Sequence, residues 1–94
     1  MKHYIIVKFR ENVDWEGMLP AITELFKTAL ALAGVSQVEV HRSNSDQPNR
    51  HDLMIEMHLT PEGLAVYDSS QMHQDWKAQY GQYMEQKTIF DCEE

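Results

Sequence analysis

The stretch Asp52–Leu–Met–Ile–Glu–Met–His–Leu–Thr60–Pro61–Glu62 decides how the chain folds. Over residues 51–59, Leu53, Ile55, Met57 and Leu59 alternate with Asp52, Met54, Glu56 and His58. A period of two reads as a strand with one face on a core. Thr60 and Pro61 then have the chemistry of a helix start, a hydroxyl cap followed by a residue that needs no N–H. Strand passes into helix within two residues. That short helix carries Leu64 and Tyr67 and should break near Ser69–Ser70.

Working back towards the N-terminus, residues 43–50 (Ser–Asn–Ser–Asp–Gln–Pro–Asn–Arg) form a polar loop that joins two strands as a long hairpin. The strand before it spans about Val35–Arg42, with Val38 and Val40 on one side and Gln37, Glu39 and His41 on the other. Before that, Met18, Ile22, Leu25, Phe26, Ala29, Leu32 and Ala33 recur at helical spacing. Asp14 suits the cap, Pro20 asks for a start near Trp15–Met18, and Gly34 is expected to end the helix in a left-handed conformation. His3–Tyr–Ile–Ile–Val–Lys–Phe9 reads as the first strand. His3, Ile5, Val7 and Phe9 share one face; Tyr4, Ile6 and Lys8 share the other.

Downstream, a second helical piece is predicted from Ser70 to about Glu85, and a last strand over Thr88–Cys92. If Ser70 caps that helix, His73, Trp76 and Tyr80 fall at positions 0, 3 and 7 of one stripe, with the imidazole facing inward. The order is strand, helix, strand, strand, helix, strand. This is α+β, a ferredoxin-like βαββαβ domain with a four-stranded antiparallel sheet and both helices on one face. The opposite face holds Tyr4, Ile6, Met54 and either Ile89 or Phe90. So much apolar surface calls for a cover, and a second copy packed sheet against sheet is the simplest one. Lys8, Glu39, Glu56 and His58 would lie in or at the rim of that interface.

The totals set bounds. Ninety-four residues make a single domain, 1–94, with a modest core and no internal repeat. A formal net charge of −7 with scattered basic residues speaks against nucleic acid as a partner. Cys92 is the single cysteine, so no internal disulfide forms and a reducing compartment is the default. The apolar run Tyr4–Val7 is too short for a leader or a membrane span. A cytoplasmic protein that does not enter membranes is expected.

On His3–Tyr–Ile–Ile–Val–Lys–Phe9, Asp52–Leu–Met–Ile–Glu56, Tyr67 with His73 six residues on, and Ile89–Phe–Asp91, the chain resembles the stress-responsive A/B-barrel (Dabb) domain family of the dimeric α+β barrel superfamily. Through it the chain is similar to olivetolic acid cyclase-like proteins. The resemblance covers essentially the whole length. It implies a homodimer whose two sheets build one barrel, and a site between sheet and helices. It implies catalytic roles for His73 and Tyr67, and a site-lining role for His3. The implied chemistry is cofactor-free proton transfer of cyclase, isomerase or lyase type.

The residues themselves leave the function open. An imidazole beside a phenol can serve as base and hydrogen-bond donor, or it can simply pack. Trp76 and Tyr80 would wall a cleft suited to a small apolar or aromatic ligand. Three functions stand side by side: a stress-response-type protein binding a small organic ligand, a cofactor-independent monooxygenase, and a non-catalytic structural homodimer. No cofactor is expected. No metal is expected either: His51 and His58 are seven apart in one strand, no two histidines have the helical i, i+4 spacing, and Asp46 with Asp52 would hold a cation only weakly. The four glycines are isolated, so no phosphate-binding loop is present.

Overall fold

The computed structural model describes residues 1–94, and its elements follow the expected order. They are β1 (Lys2–Phe9), α1 (Trp15–Lys27), β2 (Val35–Arg42), β3 (Leu53–Leu59), α2 (Pro61–Asp68), α3 (Gln71–Tyr80) and β4 (Met84–Cys92). The four strands form one antiparallel sheet in the order β2-β3-β1-β4. The architecture is the ferredoxin-like α+β fold. No helix is long and apolar enough to cross a membrane.

Alternation in the two central strands sets the layers. Ile5, Val7 and Phe9 of β1 and Leu53, Ile55, Met57 and Leu59 of β3 are buried on the helix side, together with His3. Ile22 and Phe26 of α1, Tyr67 of α2 and Trp76 of α3 close over them. Trp76 meets Phe26 edge-on, with ring centroids 4.9 Å apart. Each large apolar side chain taken out of water in this layer contributes about 1.5–3 kcal/mol.

All three α-helices start on a side-chain cap. Asp14 accepts from the Gly17 N–H, Thr60 from the Gly63 N–H (2.9 Å) and Ser70 from the His73 N–H (3.2 Å). Pro20 lies inside α1, beyond the first turn that the sequence reserved for it. Both Pro20 and Glu16, whose carbonyl loses a helical donor, are exposed, so water can take the place of that bond.

Two boundaries differ from expectation. The α1 helix ends at Lys27 and tightens into a 3₁₀ turn over Thr28–Ala31, instead of continuing to Gly34. There the Thr28 hydroxyl donates to the Leu25 carbonyl, supporting the tighter turn. The α3 helix ends at Tyr80, not near Glu85, and β4 begins at Met84, not Thr88. Sheet pairing recruits the extra strand residues: Phe9 pairs with Met84, and the Arg10 N–H donates to the Tyr83 carbonyl at 2.8 Å. Glu85, Gln86 and Lys87 show no alternation because β4 is an exposed edge strand.

The register also separates Ile89 from Phe90. Phe90 pairs with Tyr4 on the open face, while Ile89 pairs with Ile5 on the helix side. Both remain exposed, at 46% and 57%.

Gly34 turns the chain into β2 with φ = 87°. A Cβ there would lie 2.6 Å from the Thr60 hydroxyl oxygen and 2.7 Å from the Gly63 Cα. The start of β2 and the start of α2 are therefore in backbone contact, and the Gly34 carbonyl accepts from the Thr60 N–H at 2.9 Å. Gly34→Ala should destabilise the domain by about 1–3 kcal/mol through combined backbone strain and overlap. Urea denaturation measures it; a midpoint equal to wild type would show that the crossing has slack.

Candidate active cleft

Four elements bring acid–base groups to one place. His3 comes from β1, Tyr67 from the last turn of α2, His73 from the first turn of α3, and Asp91 from β4. They surround a cleft of about 290 Å³, with Trp76 and Ile89 among its walls. The break at Ser69–Ser70 makes this arrangement possible. It lets α3 restart under the Ser70 cap, so that the His73 ring comes to lie 4.6 Å, centroid to centroid, from that of Tyr67. The His3 ring lies 5.8 Å from Tyr67 on another side.

The hydrogen bonds fix each group's role. His73 Nδ1 lies 2.9 Å from the Asp68 carbonyl oxygen. A carbonyl only accepts, so Nδ1 carries the hydrogen and the neutral ring keeps its lone pair on Nε2. His3 Nδ1 lies 2.5 Å from an Asp91 carboxylate oxygen, which orients that buried ring in the same sense. The Tyr67 hydroxyl is buried without a partner. Burial first, and the nearby Asp68 carboxylate second, push this phenol well above its ordinary pKa. It stays neutral around physiological pH, a donor with nothing to donate to.

Four of the five side chains named from the sequence meet at the cleft: His3, Tyr67, His73 and Trp76. Tyr80 does not line it. It is buried in the core against Trp76, with centroids 5.5 Å apart. The buried stripe of α3 runs through Met72, Trp76 and Tyr80, not His73, Trp76 and Tyr80. His73 flanks that stripe, half-buried, so its imidazole reaches the cleft from the rim instead of the core. Asp91 was not singled out as a site residue. Its signal is the register, because β4 pairs it with His3.

A wider, open depression of about 700 Å³ lies beside the start of α1 and the 43–50 loop, lined by groups such as Trp15, Arg42 and Asp46. Three of its charged side chains are engaged locally: Arg42 pairs with Glu16 and lies over the Trp15 ring, and Asp52 accepts the Phe9 N–H at 2.8 Å. It offers neither imidazole nor phenol, unlike the smaller cleft.

A buried hydroxyl with no partner is a cost to folding of about 1–3 kcal/mol. Tyr67→Phe should therefore fold at least as stably as wild type, and by up to about 1 kcal/mol more stably. Equilibrium denaturation decides it; a clear loss of stability would mean that the hydroxyl is already satisfied.

No family model matches the chain, and no curated protein matches it. Solved structures do. A dimeric ferredoxin-like protein of unknown function from Jannaschia sp. CCS1 is similar with a TM-score of 0.80 at 14% identity, over 99% of this chain and 97% of that one. A Dabb family protein with a ferredoxin-like fold from Mesorhizobium loti gives a TM-score of 0.74 at 14% identity, over 99% and 94%. A hydroxynitrile lyase from Passiflora edulis gives 0.75 at 6% identity, over 95% and 87%. At these identities the likeness is one of fold: the chain has the ferredoxin-like α+β fold that the Dabb protein also has, in line with the resemblance drawn from its residues.

Proposed function

We propose that this chain is a stress-response-type A/B-barrel protein that works as a homodimer, binds a small organic carbonyl compound in its cleft, and moves protons on it without a cofactor. One observation carries the reading: the buried, unpaired Tyr67 hydroxyl lies beside two imidazoles, each with its Nδ1 held and its Nε2 left as the basic nitrogen. A ligand carbonyl oxygen would satisfy that hydroxyl once a small shift of the Tyr67 ring or its neighbours opens it to the cleft. The His73 Nε2 then takes a proton from the carbon next to the carbonyl, and the charge left on oxygen is met by the Tyr67 O–H. The imidazolium returns the proton to the product. His3, oriented by Asp91, provides a second proton site across the phenol. A base so placed contributes about 10²–10⁴-fold, and a hydrogen-bond donor on the developing oxyanion about 10²–10³-fold.

Aldol-type cyclisation and carbonyl isomerisation begin with such a proton removal, and in lyase chemistry on a hydroxyl compound the same base would take the O–H proton as the carbonyl forms and the leaving group departs. The hydroxynitrile lyase among the similar folds is compatible with this class. The open cleft beside His73 favours a ligand-binding protein over a purely structural dimer.

The dimer follows from the uncovered sheet face. Tyr4, Ile6, Met54 and Phe90 lie on the face without helices, and several proteins with this fold are described as dimeric. A second copy would bury that patch.

A thermal-shift screen of small carbonyl and aromatic compounds on wild type and His73→Ala tests the site. Stabilisation in wild type that disappears in the variant is expected; equal shifts in both would remove His73 from the site. For a compound that is turned over, His73→Ala should slow the reaction by about 10²–10⁴-fold. Oxygen consumed in step with turnover would assign the deprotonated ligand to monooxygenase chemistry instead. Separately, wild type should sediment as a dimer and Phe90→Asp as a folded monomer. A wild-type monomer would sink the proposed assembly.

A further inference from the structure

A second cluster of chemically active side chains lies on the opposite side of the sheet from the cleft. On β2 and β3, Glu39 stands directly across from Glu56, and Gln37 across from His58. Two carboxylates facing each other across a strand pair repel. Between them comes an imidazole: His41 Nε2 is 3.0 Å from one Glu56 oxygen and 3.5 Å from a Glu39 oxygen. His58 Nε2 is 2.6 Å from the other Glu56 oxygen, and its Nδ1 is 2.9 Å from the Glu94 carboxylate.

The protons in this cluster do not suffice for its acceptors. A neutral imidazole has one N–H, yet His58 has a carboxylate at each nitrogen. If Nδ1–H donates to Glu94, the Nε2 lone pair points at Glu56. Only a second proton or a metal ion at that nitrogen turns the contact into an attraction. His41 likewise has one nitrogen for two carboxylates. Three carboxylates and two imidazoles, all neutral at the rings, would leave a charge of about −3 on one patch of sheet.

The donor geometry suits a small cation. Ligand atoms from Glu39, His41 and Glu56 all lie within 4.8 Å of one another. Tetrahedral ligands about 2.0–2.2 Å from a zinc ion are themselves roughly 3.3–3.6 Å apart, so small side-chain rotations close the set. Mixed imidazole and carboxylate donors favour a borderline ion of the zinc type over magnesium or calcium, which prefer oxygen alone. A ligating carboxylate is usually held in turn by a hydrogen-bonding neighbour, the position of His58 against Glu56.

We propose that Glu39, His41 and Glu56 form a binding site for a divalent transition ion such as Zn²⁺ on the open sheet face, with His58, itself held by Glu94, fixing the Glu56 carboxylate from its other oxygen. All three ligands come from one chain, on the sheet face that the proposed second copy would cover, and the site does not draw on the chemistry of the cleft.

The test uses tag-free protein stripped with a chelator and dialysed. Zn²⁺ is titrated by calorimetry at neutral pH, and native mass spectrometry counts ions per chain. One Zn²⁺ per chain is expected, and excess Mg²⁺ should not displace it. His41→Ala and Glu56→Gln should each weaken binding by about 100-fold or more, and His58→Ala by about 10–100-fold, while His73→Ala leaves it unchanged. Circular dichroism confirms that the variants fold. No zinc held by wild type, affinity unchanged in His41→Ala and Glu56→Gln, or binding lost instead in His73→Ala would each overturn the proposal.

Discussion

A four-stranded sheet roofed by helices on one side only is the constraint from which the rest of this molecule follows. Every second residue of β1 and β3 is committed to the roofed side, where Ile5, Val7, Ile55 and Met57 meet Phe26 and Trp76. That commitment fixes the other half of each strand on the opposite side. The roofed side therefore receives His3, the only polar residue among the fully enclosed ones, and with it the acid–base cleft. The open side receives Tyr4, Ile6 and Met54 together with Glu56 and His58. One alternation, set by the pleat, distributes both the chemistry and the exposed apolar surface.

The cleft and the core make opposite demands on the same helix. Trp76 and Tyr80 of α3 fill space, and their rings leave little room. The imidazole one residue after Met72 falls off that buried stripe, and this is what leaves a hollow beside it. Tyr67 shows the same tension within a single residue. Its ring is enclosed, which favours folding, while its hydroxyl is stranded, which opposes it. A polar group kept in so unfavourable a place is the kind of local conflict that accompanies functional sites.

The layer structure was legible in the sequence because alternation in 51–59 and in 3–9 is a local signal, and the caps at Asp14, Thr60 and Ser70 lie next to the helices they start. What was not legible came from long-range pairing. Nothing near Glu85–Lys87 marks a strand; those residues are extended because β1 offers them a partner. Asp91 belongs with His3 only through the register of two strands distant in sequence. His41 and His58 have no shared spacing, and only the pairing of β2 with β3 brings both to Glu56. The offset of His73 was hidden by the choice between two nearly equivalent helical stripes, one starting at residue 72 and one at 73.

The cleft has an uneven frame. Three of its acid–base groups are carried by interior elements, but Asp91 sits near the end of β4, the outermost strand, which has a neighbour on one side only. Strand ends at a sheet margin detach at the smallest free-energy cost in a domain. Ile89, which walls the cleft, and Asp91, which anchors the His3 ring, hang on that same strand end, so any loosening there reaches both. The orientation of the His3 ring is thus tied to how firmly the sheet margin is held.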